Sequence, residues 1–103
     1  MKNLSLKLDD AIYQEIELIL QTDLLNNIHP STLVCPITSN VRKKTEILRV
    51  HLPQGIAGVK EDCDIMIDQL RAIDNKRLIK KIGKLPKDLS QKVIRNTQIV
   101  LGI

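Results

Sequence analysis

The chain has 103 residues, a net charge of +4 and a hydrophobic share of 43%, enough for one small domain with a modest core. Aromatic residues are nearly absent, with one Tyr and no Phe or Trp. The core is therefore built from Ile, Leu and Val, and modules that read bases by stacking them on an aromatic sheet are excluded.

Leu4, Leu6 and Leu8 alternate with Asn3, Ser5 and Lys7, the pattern of a half-buried strand. Asp9 or Asp10 is then a good N-cap for a helix through residues 11–16, with Ile12, Ile16 and Ile19 or Leu20 as its apolar stripe. Residues 33–40 read Leu-Val-Cys-Pro-Ile-Thr-Ser-Asn. A short apolar run here ends in a polar cluster, so a buried strand delivers Thr38, Ser39 and Asn40 to its mouth. Residues 41–46 form a polar loop carrying Arg42, Lys43 and Lys44. Leu48, Val50 and Leu52 alternate with Ile47, Arg49 and His51, a further strand that Pro53-Gln54-Gly55 ends. Residues 76–85 are ambiguous, because Leu78, Ile82 and Leu85 have helical spacing. Pro86 suits a first helical turn, and Leu89, Val93, Ile94, Thr97, Val100 and Leu101 make one stripe of a final helix.

Few residues point to chemistry by type and spacing alone. Cys35 sits in an apolar strand as a small hydrophobe, and Cys63 lies between two acids that raise its pKa. With no CxxC pair and no evident signal peptide, both read as reduced thiols of a cytoplasmic protein. No apolar run approaches a membrane span. His29 and His51 are isolated, Asp62, Asp64 and Asp68 lack a calcium-loop pattern, and no Gly-rich phosphate loop is present. No metal or other cofactor is implied. Lys76, Arg77, Lys80, Lys81, Lys84 and Lys87 form a basic cluster with a general attraction for phosphate.

Four segments carry a family resemblance. They are Ile19-Leu20-Gln21-Thr22-Asp23, then His29-Pro30-Ser31-Thr32 leading into Val34-Cys35-Pro36-Ile37-Thr38, then residues 64–74 ending in Arg71-Ala72-Ile73-Asp74, and Asn75-Lys76-Arg77-Leu78 with the C-terminal helix. In this order and at these spacings, residues 18–103 resemble the MazF/PemK toxins of bacterial toxin–antitoxin pairs. The resemblance implies an α+β fold, a small SH3-like β-barrel sheet with a C-terminal helix, and for residues 76–85 a short turn followed by a strand. It also implies cleavage of single-stranded mRNA without metal, by attack of the substrate's own 2′-OH. The implied partners are RNA and a cognate antitoxin, in a homodimer.

The family's site residues carry over unevenly. Thr38 matches the catalytic threonine, Ser39, Asn40, Arg42, Lys43 and Lys44 adjoin it on the surface that meets RNA, and Gln69 and Arg71 fall on the strand that in the family lines the RNA cleft. The Arg-Pro dipeptide that opens the family's second strand falls at residues 15 and 16, which here are Glu15 and Ile16. The first strand and its loop have no evident counterpart. A sheet lacking its first strands, and an activity weakened or lost, are the corresponding expectations. Residues 1–17 instead resemble the opening strand and helix of a ribbon-helix-helix antitoxin. That implies an antitoxin-like segment over 1–17 joined to a toxin-like domain over 18–103, with Asn3, Ser5 and Lys7 as DNA-reading residues. The alternative reading is a non-catalytic, toxin-like module that binds antitoxin, a toxin protomer or operator DNA.

Overall fold

A computed structural model describes residues 4–9, 15–20, 30–42 and 47–103. Among the described residues, seven strands and one helix follow in chain order: β1 (Ser5–Asp9), β2 (Ile16–Ile19), β3 (Ser31–Thr38), β4 (Arg49–Leu52), β5 (Cys63–Met66), β6 (Arg71–Asp74), β7 (Leu78–Lys84) and α1 (Lys87–Leu101). Single turns of 3-10 helix at Ile56–Gly58, Ile67–Gln69 and Asn75–Arg77 link the later strands.

The strands form one antiparallel sheet in the order β4-β5-β3-β2-β1-β7, with β6 also on β3. β3 organises it. One edge pairs with β2, setting Cys35 opposite Leu18 and Ile37 opposite Ile16. The other edge is shared, by β5 at Ile37 and Thr38 and by β6 from Ser31 to Val34. β6 and β7, joined by the Asn75–Arg77 turn, reach from β3 to β1 and curl the sheet without closing it into a barrel.

Strand alternation sorts the two faces. One face carries Leu6, Leu18 and Cys35 in one cross-strand row, and Ile16, Ile37, Ile65 and Val50 in the next. Leu85 and Val93 complete this core from the helix side. Each fully buried Leu, Ile or Val there contributes roughly 1.5–3 kcal/mol. On the opposite face the described residues form a small apolar cluster, Ile19, Val34 and Ile73 with Leu78, beside the buried polar groups Asp9, Glu17, Thr32 and Asp64.

The helix starts behind Pro86 and ends at Gly102, whose φ of 74° is the left-handed conformation that glycine tolerates. Its expected stripe holds at Val93, but Val100 and Leu101 are exposed. The Ser90 hydroxyl accepts the Leu4 N–H at 3.2 Å, and the Leu85 N–H donates to the Leu4 carbonyl at 2.7 Å, tying the helix to the start of β1.

The turn and strand implied for residues 76–85 are present, because Leu78 to Lys84 pair with β1. The front of the chain differs from expectation. Of the helix expected through residues 11–16, only residues 15 and 16 are described, and neither is helical. Glu15 is non-helical, Ile16 begins a strand, and the Asp9 N–H donates to the Glu15 carbonyl at 2.7 Å. That bond is hairpin geometry; residues 10–14 lie outside the described residues. The sheet also does not lack its first strand, since β1 lies inside it, paired with β2 on one side and β7 on the other. Pairing wins because β1 buries Leu6 completely between Leu18 and Gly83.

Candidate functional site at the mouth of the third strand

Thr38 ends β3 and is half-buried, and the chain turns at Ser39 and Asn40, both exposed. The Thr38 hydroxyl oxygen accepts the Asn40 N–H at 3.1 Å, which leaves its own proton to be donated elsewhere. Thr38 pairs with Asp64 on β5, and Asp64 pairs with His51 on β4. Continuing the β2–β3 register one step beyond Ile16 and Ile37 brings Glu15 opposite Thr38. Glu15, Thr38, Asp64 and His51 therefore form one row on the polar face.

Asp64 is almost fully buried and collects donors. Its Oδ2 accepts the Arg42 backbone N–H at 2.8 Å and an Arg49 guanidinium N–H at 3.3 Å. Its Oδ1 faces His51 Nδ1 at 3.3 Å. The same Arg49 nitrogen donates to the Asn40 carbonyl at 2.8 Å, so Arg49 ties β4 to the bend beside Thr38. A buried carboxylate needs such compensation, because desolvating an unpaired charge is costly.

On the other flank the same face holds a second group of charges. Arg71, at the start of β6, donates to Glu17 Oε1 at 2.6 Å and to Glu15 Oε2 at 3.3 Å. Arg77 makes a two-nitrogen contact with Asp9, at 2.8 and 3.1 Å. Glu17 is fully buried, and its Oε2 has no hydrogen-bond partner. Burial raises the Glu17 pKa above the ordinary carboxylate value, and Arg71 partly offsets this. The Glu17 carboxylate raises the Arg71 pKa in turn. Carboxylate oxygens of Asp9, Glu15 and Glu17 lie within 4.8 Å of one another. The two guanidiniums supply counter-charge from within the chain, so this group is an ion-pair network and not an open cation site.

The structure brings together Thr38, Ser39, Asn40 and Arg42 from the expected set. Lys43, Lys44 and Asn3 lie outside the described residues, as does His29. Gln69 is exposed in the Ile67–Gln69 turn, not on a strand, while Arg71 stands on β6 as expected. Ser5 and Lys7 lie on β1, whose two edges are both occupied. Of the basic cluster, Arg77 is ion-paired, while Lys80, Lys81 and Lys84 are exposed on β7. Burial pushes the Cys35 thiol up to about 12, helped by Glu17 and Asp68. Cys63 is raised as expected, but it starts β5 and burial outweighs its acidic neighbours.

Arg49, His51 and Asp64 were not expected at the site. Alternation already sets residues 49 and 51 opposite the buried Val50 and Leu52. The further signal was Asp64 itself, a charge inside the apolar run Cys63-Asp64-Ile65-Met66.

Comparison with known proteins decides the family. Residues 13–101 match the family described as "PemK-like, MazF-like toxin of type II toxin-antitoxin system". The chain belongs to this toxin family. Its relative Endoribonuclease EndoA of Bacillus subtilis (strain 168) is 31% identical over 86 residues, covering 84% of this chain and 74% of EndoA. The fold is that of the Mycobacterium tuberculosis toxin MazF-mt6, with a TM-score of 0.84, 17% identity and coverage of 96% of this chain and 97% of that one. The MazE-MazF structure (Form-II) from Deinococcus radiodurans superposes with a TM-score of 0.80, at 22% identity and coverage of 98% and 92%. Coverage near the full length of MazF-mt6 accords with β1 and β2 standing inside the sheet. No helix among the described residues of this family member is long and apolar enough to cross a membrane.

Proposed function

We propose that this toxin cleaves single-stranded mRNA, slowly and without metal, through attack of the substrate's own 2′-OH, and that a cognate antitoxin restrains it. The observation that carries the reading is Thr38 at the mouth of β3 with Asp64 on its β5 side, which holds the Arg49 guanidinium and the backbone of Arg42. The Thr38 hydroxyl donates to a phosphoryl oxygen, and the Arg42 and Arg49 cations offset the charge building on the phosphate. Ser39 and Asn40 follow the RNA backbone out of the site, Gln69 and Arg71 meet it further along the face, and Lys43 and Lys44 add positive charge to the segment after Arg42. Glu15, at the place of the family's arginine, repels the phosphate instead of holding it. The missing donor lowers the rate by a factor on the order of 10²–10³.

Thr38→Ala tests the reading. The variant is expected to lose at least about ten-fold in single-stranded RNA cleavage, by the worth of an oriented donor, and to relieve growth arrest on induction. Unchanged cleavage would remove Thr38 from the site.

The same reading includes a homodimer. Open sheet edges and exposed Leu33, Ile79, Ile99, Leu101 and Ile103 support association. Light scattering at micromolar concentration is expected to give twice the chain mass, and a monomer would count against it. Operator DNA forms no part of the reading, because exposing Ser5 and Lys7 for strand pairing requires β1 to leave the sheet. An origin of residues 1–17 in an antitoxin gene is a separate proposal, which the DNA upstream tests.

The Glu15–Arg71–Glu17 network favours a second reading, a non-catalytic module, because it commits Arg71 to the chain's own carboxylates. Under it, an acidic and apolar antitoxin segment binds the chain and RNA is not cut.

A further inference from the structure

We propose that His51, held by the buried Asp64, is the proton-transfer group of this site, an inference that rests on the ribonuclease reading above. Attack by a 2′-OH needs a base for its proton and an acid for the departing 5′-oxygen. Thr38 and the arginines supply neither: a threonine hydroxyl is too weak an acid, and a guanidinium does not deprotonate. A histidine titrates in the required range, and His51 stands in the same row as Thr38.

Three observations place it there. The register pairs Thr38 with Asp64 and Asp64 with His51, so all three side chains leave the same face of the sheet. Asp64 Oδ1 lies 3.3 Å from His51 Nδ1, while its other oxygen is fixed by the Arg42 backbone N–H and the Arg49 guanidinium. A carboxylate at Nδ1 selects the tautomer protonated there and leaves the Nε2 lone pair outward. The side chains of His51 and Asp64 are 50% and 3% exposed, so the imidazole meets solvent while its partner is locked in the fold. The contact is long for a hydrogen bond, as such contacts commonly are before substrate binds. One strand separates β3 from β4, a gap of about 10 Å between their backbones, which a ribose and its 3′-phosphate bridge.

The step balances within the substrate, one side chain and solvent water. Nε2 takes the 2′-OH proton as the O2′–P bond forms. The P–O5′ bond breaks on the opposite side of phosphorus, where water protonates the departing 5′-oxygen, and the imidazolium gives its proton back to solvent. One bond is made, one is broken, and by way of solvent a proton has moved from 2′ to 5′ oxygen. The products are a 2′,3′-cyclic phosphate and a 5′-hydroxyl. Thr38 and the two arginines hold the phosphoryl oxygens throughout.

The test uses the full chain on single-stranded RNA in EDTA, comparing the unaltered protein, His51→Gln and Asp64→Asn across pH 5 to 9. The unaltered protein is expected to give a pH profile with a rising acid limb, as a general base requires; the charged residues around His51 are Asp64 on β5, Arg49 on β4 and Arg42 beyond β3. His51→Gln is expected to lose on the order of 10²-fold in kcat/KM together with that pH limb. Its affinity for a 2′-deoxy oligonucleotide should stay within about three-fold of the unaltered protein's, as expected for a lost proton-transfer group and not a lost binding contact. Asp64→Asn, once shown by circular dichroism to be folded, is expected to shift the limb. If the unaltered protein cleaves and His51→Gln matches it in rate and pH profile, the role of His51 is overturned and the ribonuclease reading stands. If the unaltered protein cuts no RNA, both fall together.

Discussion

Replacing Glu17 by Gln is expected to stabilise the protein at neutral pH and to change little at acid pH. Glu17 has no exposed surface, one oxygen on Arg71 at 2.6 Å and one with no partner. Its folded pKa is raised above the ordinary value of 4.5, first by burial. The sign follows from linkage. A carboxyl with a raised folded pKa contributes stability that is fully present below the unfolded pKa and lost as pH rises through the folded one. Gln keeps an oxygen for Arg71 and adds an N–H that can meet the neighbouring carboxylates of Asp9 and Glu15. Weakening the Arg71 bond costs about 1 kcal/mol, while removing a buried charge with an unsatisfied oxygen gains about 1–3 kcal/mol. The net gain at pH 7 is about 1 kcal/mol, or about 4 °C in Tm for a domain this size. Thermal unfolding by circular dichroism at pH 4, 5.5 and 7 reads it. A Tm at pH 7 below that of the unaltered protein would refute the reasoning, because the attraction of Arg71 would then outweigh the burial of Glu17.

Other expectations follow from single positions. A Cβ at Gly83 would sit 2.3 Å from the Ala57 carbonyl oxygen, so Gly83→Ala is expected to cost about 2 kcal/mol in urea unfolding; an unchanged midpoint would mean that the Ile56–Gly58 turn yields freely. Cys35, pushed up to about 12 and buried, is expected to resist a disulfide reagent at pH 8 until the protein unfolds, and fast labelling of the native chain would contradict its packing. Glu15→Arg returns a cation to the position opposite Thr38 and is expected to raise RNA cleavage by about 10²-fold, while no gain would show that the β4 side already supplies the needed charge.

The strands that carry the site were legible because their signals are local. An apolar run ending in Thr-Ser-Asn gave β3 and its mouth, and alternation around Val50 and Leu52 gave β4. Residues 78–84 could be read as a strand only through the family resemblance, since Leu78, Ile82 and Leu85 also fit a helix. Asp9, Glu15 and Ile16 were misread because Asp9 followed by Ile12 and Ile16 has the form of a capped helix, whereas Ile16 begins a strand and the Asp9 carboxylate is used by Arg77, sixty-eight positions away. Burial of Leu6 and Leu18 in paired strands decides the conformation there, and local propensity cannot report it. The charges were the least legible. Arg71 was expected at the RNA surface and is tied to Glu15 and Glu17. His51 looked isolated and lies beside Asp64, a contact that depends on the β4–β5 register.

The most direct test of the account is cleavage of matched substrates by the purified chain in EDTA: a single-stranded RNA and the same sequence with 2′-deoxyribose throughout. The account predicts slow cutting of the RNA, with 2′,3′-cyclic phosphate and 5′-hydroxyl ends, and none of the deoxy strand. Cutting of both strands, or a strict need for added divalent metal, would contradict a site built from Thr38, its arginines and the substrate's own hydroxyl.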